Sequence, residues 1–294
     1  MKKLICAIII ILNSSIGYAS DKLQIVTSFS ILQDITQNIT QDKAIVYSIV
    51  PPESDAHSYN IKPQDLIKIE KSNLFIINGL GFEGFLTRFK ENKNISTKIV
   101  EAADGIDTLK LDEDNGKHHH LDPHAWQNPI NIITYVNNIT KALCVYDQTN
   151  CEFYKINGDQ YIKKIKVIDE TYTKIFENIP SKYRVMISTH DAFQYLAQHY
   201  NISIFAPLGI DNNSEPSAKD LANFNKLIKE SNVSAIFIEN ITNNTLIEQL
   251  SQSNHKIING ELYSDSLAKS GECSTYIGLI NHNLKIISDA MKSK

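Results

Sequence analysis

Cysteine is scarce in this 294-residue chain: there are four, and no Cys-x-x-Cys pair exists with which to build a zinc ribbon. Cys6 lies ahead of most of an N-terminal apolar run instead of closing it, which argues against lipidation there. Cys144 and Cys151 are free to pair in an oxidising compartment, but buried thiols are the expected state, with Cys273 unpaired, and the fold is not expected to depend on disulfides. Positive charge is not in excess either: 29 Lys and Arg face 33 Asp and Glu, a net −4, which leaves no electrostatic footprint for nucleic acid. There is no His-Glu-x-x-His motif and no convincing repeat between the halves. Beyond the N-terminus, no apolar run approaches the roughly 20 residues that span a bilayer.

What is present begins with a processing signal. Met1-Lys2-Lys3 is a basic start, Leu4 to Leu12 an apolar run and Gly17-Tyr18-Ala19 a small-residue cleavage site, so residues 1–19 read as a cleaved signal peptide. The mature chain is then expected in the periplasm or cell envelope, starting near Ser20. Its length favours two lobes with separate cores over one large domain.

Short β-branched runs alternate with amphipathic stretches: a strand at Leu23 to Thr27, a helix over Phe29 to Thr40, a strand at Ala44 to Ile49, a helix from Pro63, a strand at Leu74 to Ile77 and a helix around Phe82 to Phe89. This is parallel α/β punctuation. From Asn128 to about Ile179 the text is helical, broken by a polar cluster at Asp147 to Asn150. The second helical piece, Glu152 to Asn178, would be roughly 40 Å long, more than one lobe needs, and reads as a rigid strut. Strands resume at Arg184 to Ser188, Ile202 to Phe205, Ala235 to Ile238 and Lys256 to Asn259. The expected organisation is an N-terminal α/β lobe (20–149), a linking helix (150–179) and a C-terminal α/β lobe (180–294), each lobe a small, mostly parallel sheet flanked by helices.

Three histidines sit where strands or turns hand over to helices: His57 in PPESDAHSY, His124 in LDPHAW and His190 in VMISTHDAFQY. Loops at the carboxyl ends of strands form the ligand crevice of an open α/β sheet. His124 lies between the stiff Asp122-Pro123 turn and the Trp126 ring, surroundings that fix an imidazole as a metal site requires, and His190 opens a helix after its strand. Asp265, in GELYSDSLA, offers a fourth, oxygen donor. Three imidazoles and a carboxylate suit a first-row transition metal, zinc foremost, with affinity falling as pH drops through the histidine range. His118, His119 and His120 close the polar loop DEDNGKHHH, which reads equally as a solvated acidic loop or as an auxiliary metal site, a weak one because three consecutive histidines cannot all face one ion in a regular conformation. Glu239, at another strand end, ranks behind Asp265 as a ligand. His199, His255 and His282 have no partner motif and read as structural or surface residues.

The sequence resembles the solute-binding proteins of zinc- and manganese-type ABC importers, the cluster A-I or TroA-like family. The resemblance covers nearly the whole mature chain. It is carried by the histidine after Pro51-Pro52 with Pro63-Gln64-Asp65 downstream, Asn78-Gly79-Leu80-Gly81-Phe82-Glu83, Asp122-Pro123-His124-Ala125-Trp126, Ser188 to Tyr195, Glu215-Pro216-Ser217 and Ser264-Asp265-Ser266. It implies two α/β lobes joined by a long backbone helix with the metal in the cleft, His57 and His124 coming from the first lobe and His190 and Asp265 from the second. It also implies handover to a membrane permease and, through it, an ATPase subunit, from a monomer with no catalytic role. Manganese-selective relatives tend to carry glutamate where this chain has His190, so the resemblance favours Zn2+, with Mn2+ or iron as alternative cargo. A zinc hydrolase using Asp191 as base and a surface adhesin are the weaker readings.

Overall fold

The computed structural model describes residues 22–86, 98–113, 118–209 and 218–293; the leader segment, Cys6 and Glu215-Pro216-Ser217 lie outside them. Strand β1 (Leu23–Phe29) runs into helix α1 (Ser30–Thr40), followed by β2 (Ala44–Val50), α2 (Pro63–Lys71), β3 (Leu74–Ile77) and β4 (Lys98–Glu101). These four strands form a parallel sheet in the order β2-β1-β3-β4. β3 is apolar throughout and β1 is buried from Ile25 to Phe29, as strands covered on both faces are. Residues 79–85 form turns and loop, so the expected helix around Phe82 starts no earlier than Leu86, its remainder to Phe89 lying outside the described residues: Gly79, Leu80 and Gly81 all have left-handed backbones, and the Glu83 carboxylate accepts from the Asn78 and Gly79 amides.

A second difference is the expected polar loop before Asp122. Its two arms are antiparallel strands, β5 (Lys110–Glu113) and β6 (His118–Leu121), with Glu113 opposite His118 and Asp112 opposite His119. Leu111 and Leu121 are the only apolar residues of the pair, so no hydrophobic alternation marks it in the sequence.

The helical middle is α3 (Asn131–Tyr146) and α4 (Cys151–Glu177). α4 is one uninterrupted helix of 27 residues, roughly 40 Å long at 1.5 Å per residue. Its buried face, Tyr154, Asn157, Gly158, Tyr161, Ile165, Tyr172 and Phe176, follows the helical period. At the N-terminal end Gly158 lets α3 approach closely: a β-carbon there would sit 3.0 Å from Thr140 Oγ1 and 3.2 Å from Val136 Cγ1. Cys144 and Cys151 are joined in a disulfide across the α3–α4 turn, which corrects the expectation of separate buried thiols. The turn that reverses the chain brings the two Cα atoms to 4.5 Å, within bridging range. Cys273 is free and buried.

The second sheet is also parallel, in the order β10-β9-β7-β8, built from β7 (Val185–Ile187), β8 (Ser203–Phe205), β9 (Ala235–Glu239) and β10 (Ile258–Leu262). β10 starts and ends later than the sequence suggests. Helices α5 (Gln194–Tyr200), α6 (Ala218–Glu230), α7 (Thr245–Ser253) and α8 (Tyr276–Lys292) complete this part. The far end of the strut packs here: Asp169 pairs with His199 at 2.6 Å and accepts from the Tyr200 hydroxyl at 3.0 Å, while Tyr172 donates to Asn281 on α8.

The cores are not separate in the way chain length suggests. The largest buried apolar cluster runs from the β1/β3 sheet through Trp126, Tyr161 and Tyr276 to Phe237 and Leu262, and a small cluster of Ile187, Ile228, Val233, Ile236, Ile247 and Leu250 lies on the other side of the second sheet. The strut and α8 cause this, because both bury aromatic rings where the lobes meet. Tyr276 shows it directly, its amide donating to Asp34 of α1 and its hydroxyl to the Trp126 carbonyl.

Candidate metal centre

Each of the four expected donors is held by its own local device. His57 sits in the loop after β2, where Asp55 accepts its backbone amide at 2.8 Å in a side-chain turn. Its ring stands edge-on to Phe82, 4.6 Å between centroids. Gly84 is pressed against it so closely that a β-carbon would lie 2.8 Å from the His57 carbonyl oxygen. The turn bearing Phe82 and Gly84 is fixed from behind by Glu83, which accepts from Ser28 and Asn78 at 2.7 and 2.6 Å. Burial pushes the Glu83 carboxyl up to about 7 against the pull of those donors. Asn78 in turn donates to the Pro123 carbonyl at 3.0 Å, tying the His57 and His124 loops together.

His124 is fully buried, and Asp122 Oδ1 takes both its backbone amide at 2.9 Å and its Nδ1 at 2.7 Å, leaving Nε2 to face the centre. Trp126 flanks the imidazole at 5.2 Å and donates from Nε1 to the Ser264 carbonyl at 2.9 Å. Gln127 donates to the same oxygen at 2.6 Å, so the DPHAW turn grips the loop that carries Asp265. His190 lies in the irregular segment after β7, four residues ahead of the first residue of α5, not at a helix start as expected, because Ser188 and Ala192 turn the chain back on the His190 carbonyl. Its Nδ1 meets Glu239 Oε2 at 2.5 Å and its Nε2 lies 3.2 Å from Asp265 Oδ2.

The four donor groups converge from loops that are distant in sequence, with one ligand atom of each within 4.8 Å of every other. His57 Nε2 is 3.1 Å from His124 Nε2 and 3.6 Å from Asp265 Oδ2, and His124 Nε2 is 3.6 Å from Asp265 Oδ1. Zinc bonds of about 2.0–2.2 Å set tetrahedral ligand-to-ligand edges of roughly 3.3–3.6 Å, and the His57–His124 edge and the three edges to Asp265, 3.1–3.6 Å, lie close to that range. Neither oxygen of the fully buried Asp265 has a hydrogen bond of regular geometry, so its charge is directed at the three imidazoles alone. Buried charge of this kind is paired or coordinates metal.

Electrostatics divide the histidines. Burial, reinforced by His124 and His190, lowers His57 to about 4 despite Asp265, so it is neutral at pH 7. Burial acts the same way on His190, but Glu239 and Asp265 outweigh it and raise this imidazole well above its ordinary value. Burial works against Asp265 ionising, and His190 and His124 overcome it, holding the carboxyl below the usual carboxylate range. A metal ion must therefore displace a proton from His190 and none from His57. The sign follows: affinity is expected to rise with pH while His190 is protonated, and calorimetry in buffers of different ionisation enthalpy is expected to read net proton release on metal binding. Binding with no proton release would contradict this assignment.

The remaining candidates stand elsewhere. Glu239 lies behind His190, its Oε2 against Nδ1, and is not among the four groups that converge, in keeping with its rank behind Asp265. Only the backbone of His118, His119 and His120 is described, so their auxiliary role lies outside the described side chains. His199 pairs with Asp169, and His282 meets the Glu261 carbonyl at 3.0 Å, both structural. Asp191, the base a hydrolase would need, accepts from Gln194 at 2.7 Å. The sequence reading named the Asp122-Pro123 turn and the Asn78 to Glu83 segment but not the contacts they make, Asp122 to His124 Nδ1 and Glu83 beneath the His57 loop. An Asp two residues before a histidine, in a proline turn, is a usable signal for the first, whereas nothing local marks the second.

Two parallel-sheet lobes joined by a long helix, with three imidazoles and a carboxylate closing on one point between them, define a metal-ion solute-binding protein. The chain belongs to the family of zinc-uptake complex component A, a periplasmic protein, whose model matches residues 25–290. It is 32% identical to the iron-binding protein YfeA of Yersinia pestis over 91% of this chain and 86% of that one. It is 30% identical to the manganese ABC transporter substrate-binding lipoprotein PsaA of Streptococcus pneumoniae over 93% of this chain and 90% of that one. The periplasmic zinc-binding protein TroA of Treponema pallidum shares the fold with a TM-score of 0.84 at 25% identity, covering 92% of this chain and 99% of that chain. These relatives are binding proteins, not enzymes.

Proposed function

We propose that this protein captures a divalent transition metal outside the cytoplasm, zinc in the first instance, through His57, His124, His190 and Asp265, and delivers it to an ABC-type permease driven by an ATPase subunit. The observation that carries the reading is the spacing of the four donors, which suits a closed tetrahedral shell with no position kept open for a water or substrate. Three neutral imidazole donors favour zinc over a harder, oxygen-preferring ion. The relatives named above carry iron, manganese and zinc in their descriptions, so manganese or iron is the alternative cargo. Residues 1–19 act as a cleaved signal peptide, and the mature monomer is organised as lobes 20–149 and 180–294 about the linking helix 150–179.

Deleting the gene tests the cargo. Cellular zinc is expected to fall under chelation and to recover with the native gene but not with a His124→Ala copy. Loss of manganese or iron with zinc unchanged would reassign the cargo.

A further inference from the structure

The carboxylate behind His190 has a more specific task than burial requires. Glu239 ends β9 and is fully buried. β9 lies beside β7 in parallel register, Met186 opposite Ala235 and Ile187 opposite Ile236, and continuing that offset brings Glu239 level with His190. Two backbone donors converge on Oε1, the Thr189 amide at 2.8 Å and the His190 amide at 2.9 Å, and Oε2 lies 2.5 Å from His190 Nδ1, within pairing distance although not at the angles of a regular hydrogen bond. Asn244 braces the arrangement by donating to the Glu239 carbonyl at 2.8 Å and accepting from the Glu239 amide and the Thr189 hydroxyl, each at 3.0 Å.

We propose that Glu239 is a positioning residue that selects the metal-binding nitrogen of His190: by holding the proton on Nδ1 it makes Nε2, which faces Asp265, the nitrogen that gives up its proton and binds the ion. This rests on the reading of His190 as a zinc ligand. The chemistry demands a carboxylate, because every group around it is a donor. A glutamine of the same shape fails at one contact whichever way it turns. With its NH2 toward Nδ1 it stabilises the tautomer whose proton sits on Nε2, where the metal must bind; with its NH2 toward the two amides it sets donors against donors. Asp122 makes the matching contact to His124, so each lobe supplies one carboxylate that orients one imidazole.

The test is a double-mutant cycle in zinc affinity with Glu239→Gln, His190→Ala and the double variant, alongside nitrogen-15 NMR of the zinc-loaded native protein. Glu239→Gln is expected to weaken zinc binding roughly 10- to 100-fold. In the His190→Ala background it should cost no more than about twofold. The native spectrum should show His190 protonated at Nδ1 and coordinated through Nε2. Near-native affinity in Glu239→Gln, an equal loss in both backgrounds, or a His190 coordinated through Nδ1 each overturns the proposal, and the NMR result stands even if the variant fails to fold. A native protein that binds no zinc would overturn the metal-site reading instead.

Discussion

Replacing Asp265 with alanine is expected to lower zinc affinity by roughly 100- to 1,000-fold, one of two large effects that follow from how the cleft is built. A four-ligand zinc site is worth roughly 10–16 kcal/mol, so one ligand carries roughly 2.5–4 kcal/mol, and each 1.4 kcal/mol is about tenfold. Asp265 is also the donor common to all three histidines, lying 3.2–3.6 Å from each of them. Without it the ion would meet three imidazoles and no charged ligand of its own, the nearest carboxylates, Asp122 and Glu239, standing behind His124 and His190. Competition of the chelated, refilled variant against a zinc indicator reads the loss, and a change under about tenfold would mean that Asp265 lies outside the coordination shell.

Trp126→Ala should destabilise the metal-free protein by about 3–5 kcal/mol, the usual range for truncating a fully buried tryptophan. The ring is completely buried, packed against Phe82 at 4.6 Å and Phe29 at 5.1 Å. Its Nε1–H is one of the bonds that fix the Asp265 loop, so zinc affinity should fall as well. Trp126→Phe keeps most of the packing and gives up the hydrogen bond, for a cost of about 1 kcal/mol plus a smaller loss of packing. Urea unfolding of the chelated proteins separates the two. An alanine variant that loses less than about 1 kcal/mol would show that the ring is not part of the frame.

Much of this architecture was legible from residue patterns. The strands at Leu74 to Ile77 and Ala44 onward, and the strut, declare themselves by period, because each is apolar on the faces it buries. The donor set was legible for a different reason: His57, His124, His190 and Asp265 all follow strands or turns in short, unusual strings, and chemistry alone makes them a plausible shell. What escaped were features with no local signature. The polar β5–β6 hairpin shows no alternation. The Cys144–Cys151 bridge depends on how the chain reverses between two helices. The role of Glu239 depends on which strand lies next to β7, a fact of sheet order that a residue 49 positions from its partner cannot reveal. The shared core likewise follows from the docking of α8 against α1, not from chain length.

The central claim is that four named side chains form one closed metal shell between the lobes. Anomalous diffraction at the zinc edge from crystals of the zinc-loaded protein tests it most directly. The account predicts a single strong peak about 2.0–2.2 Å from Nε2 of His57, His124 and His190 and from a carboxylate oxygen of Asp265. A principal peak on the His118–His120 strand, or an ion held by three of the four with water completing its shell, would contradict it.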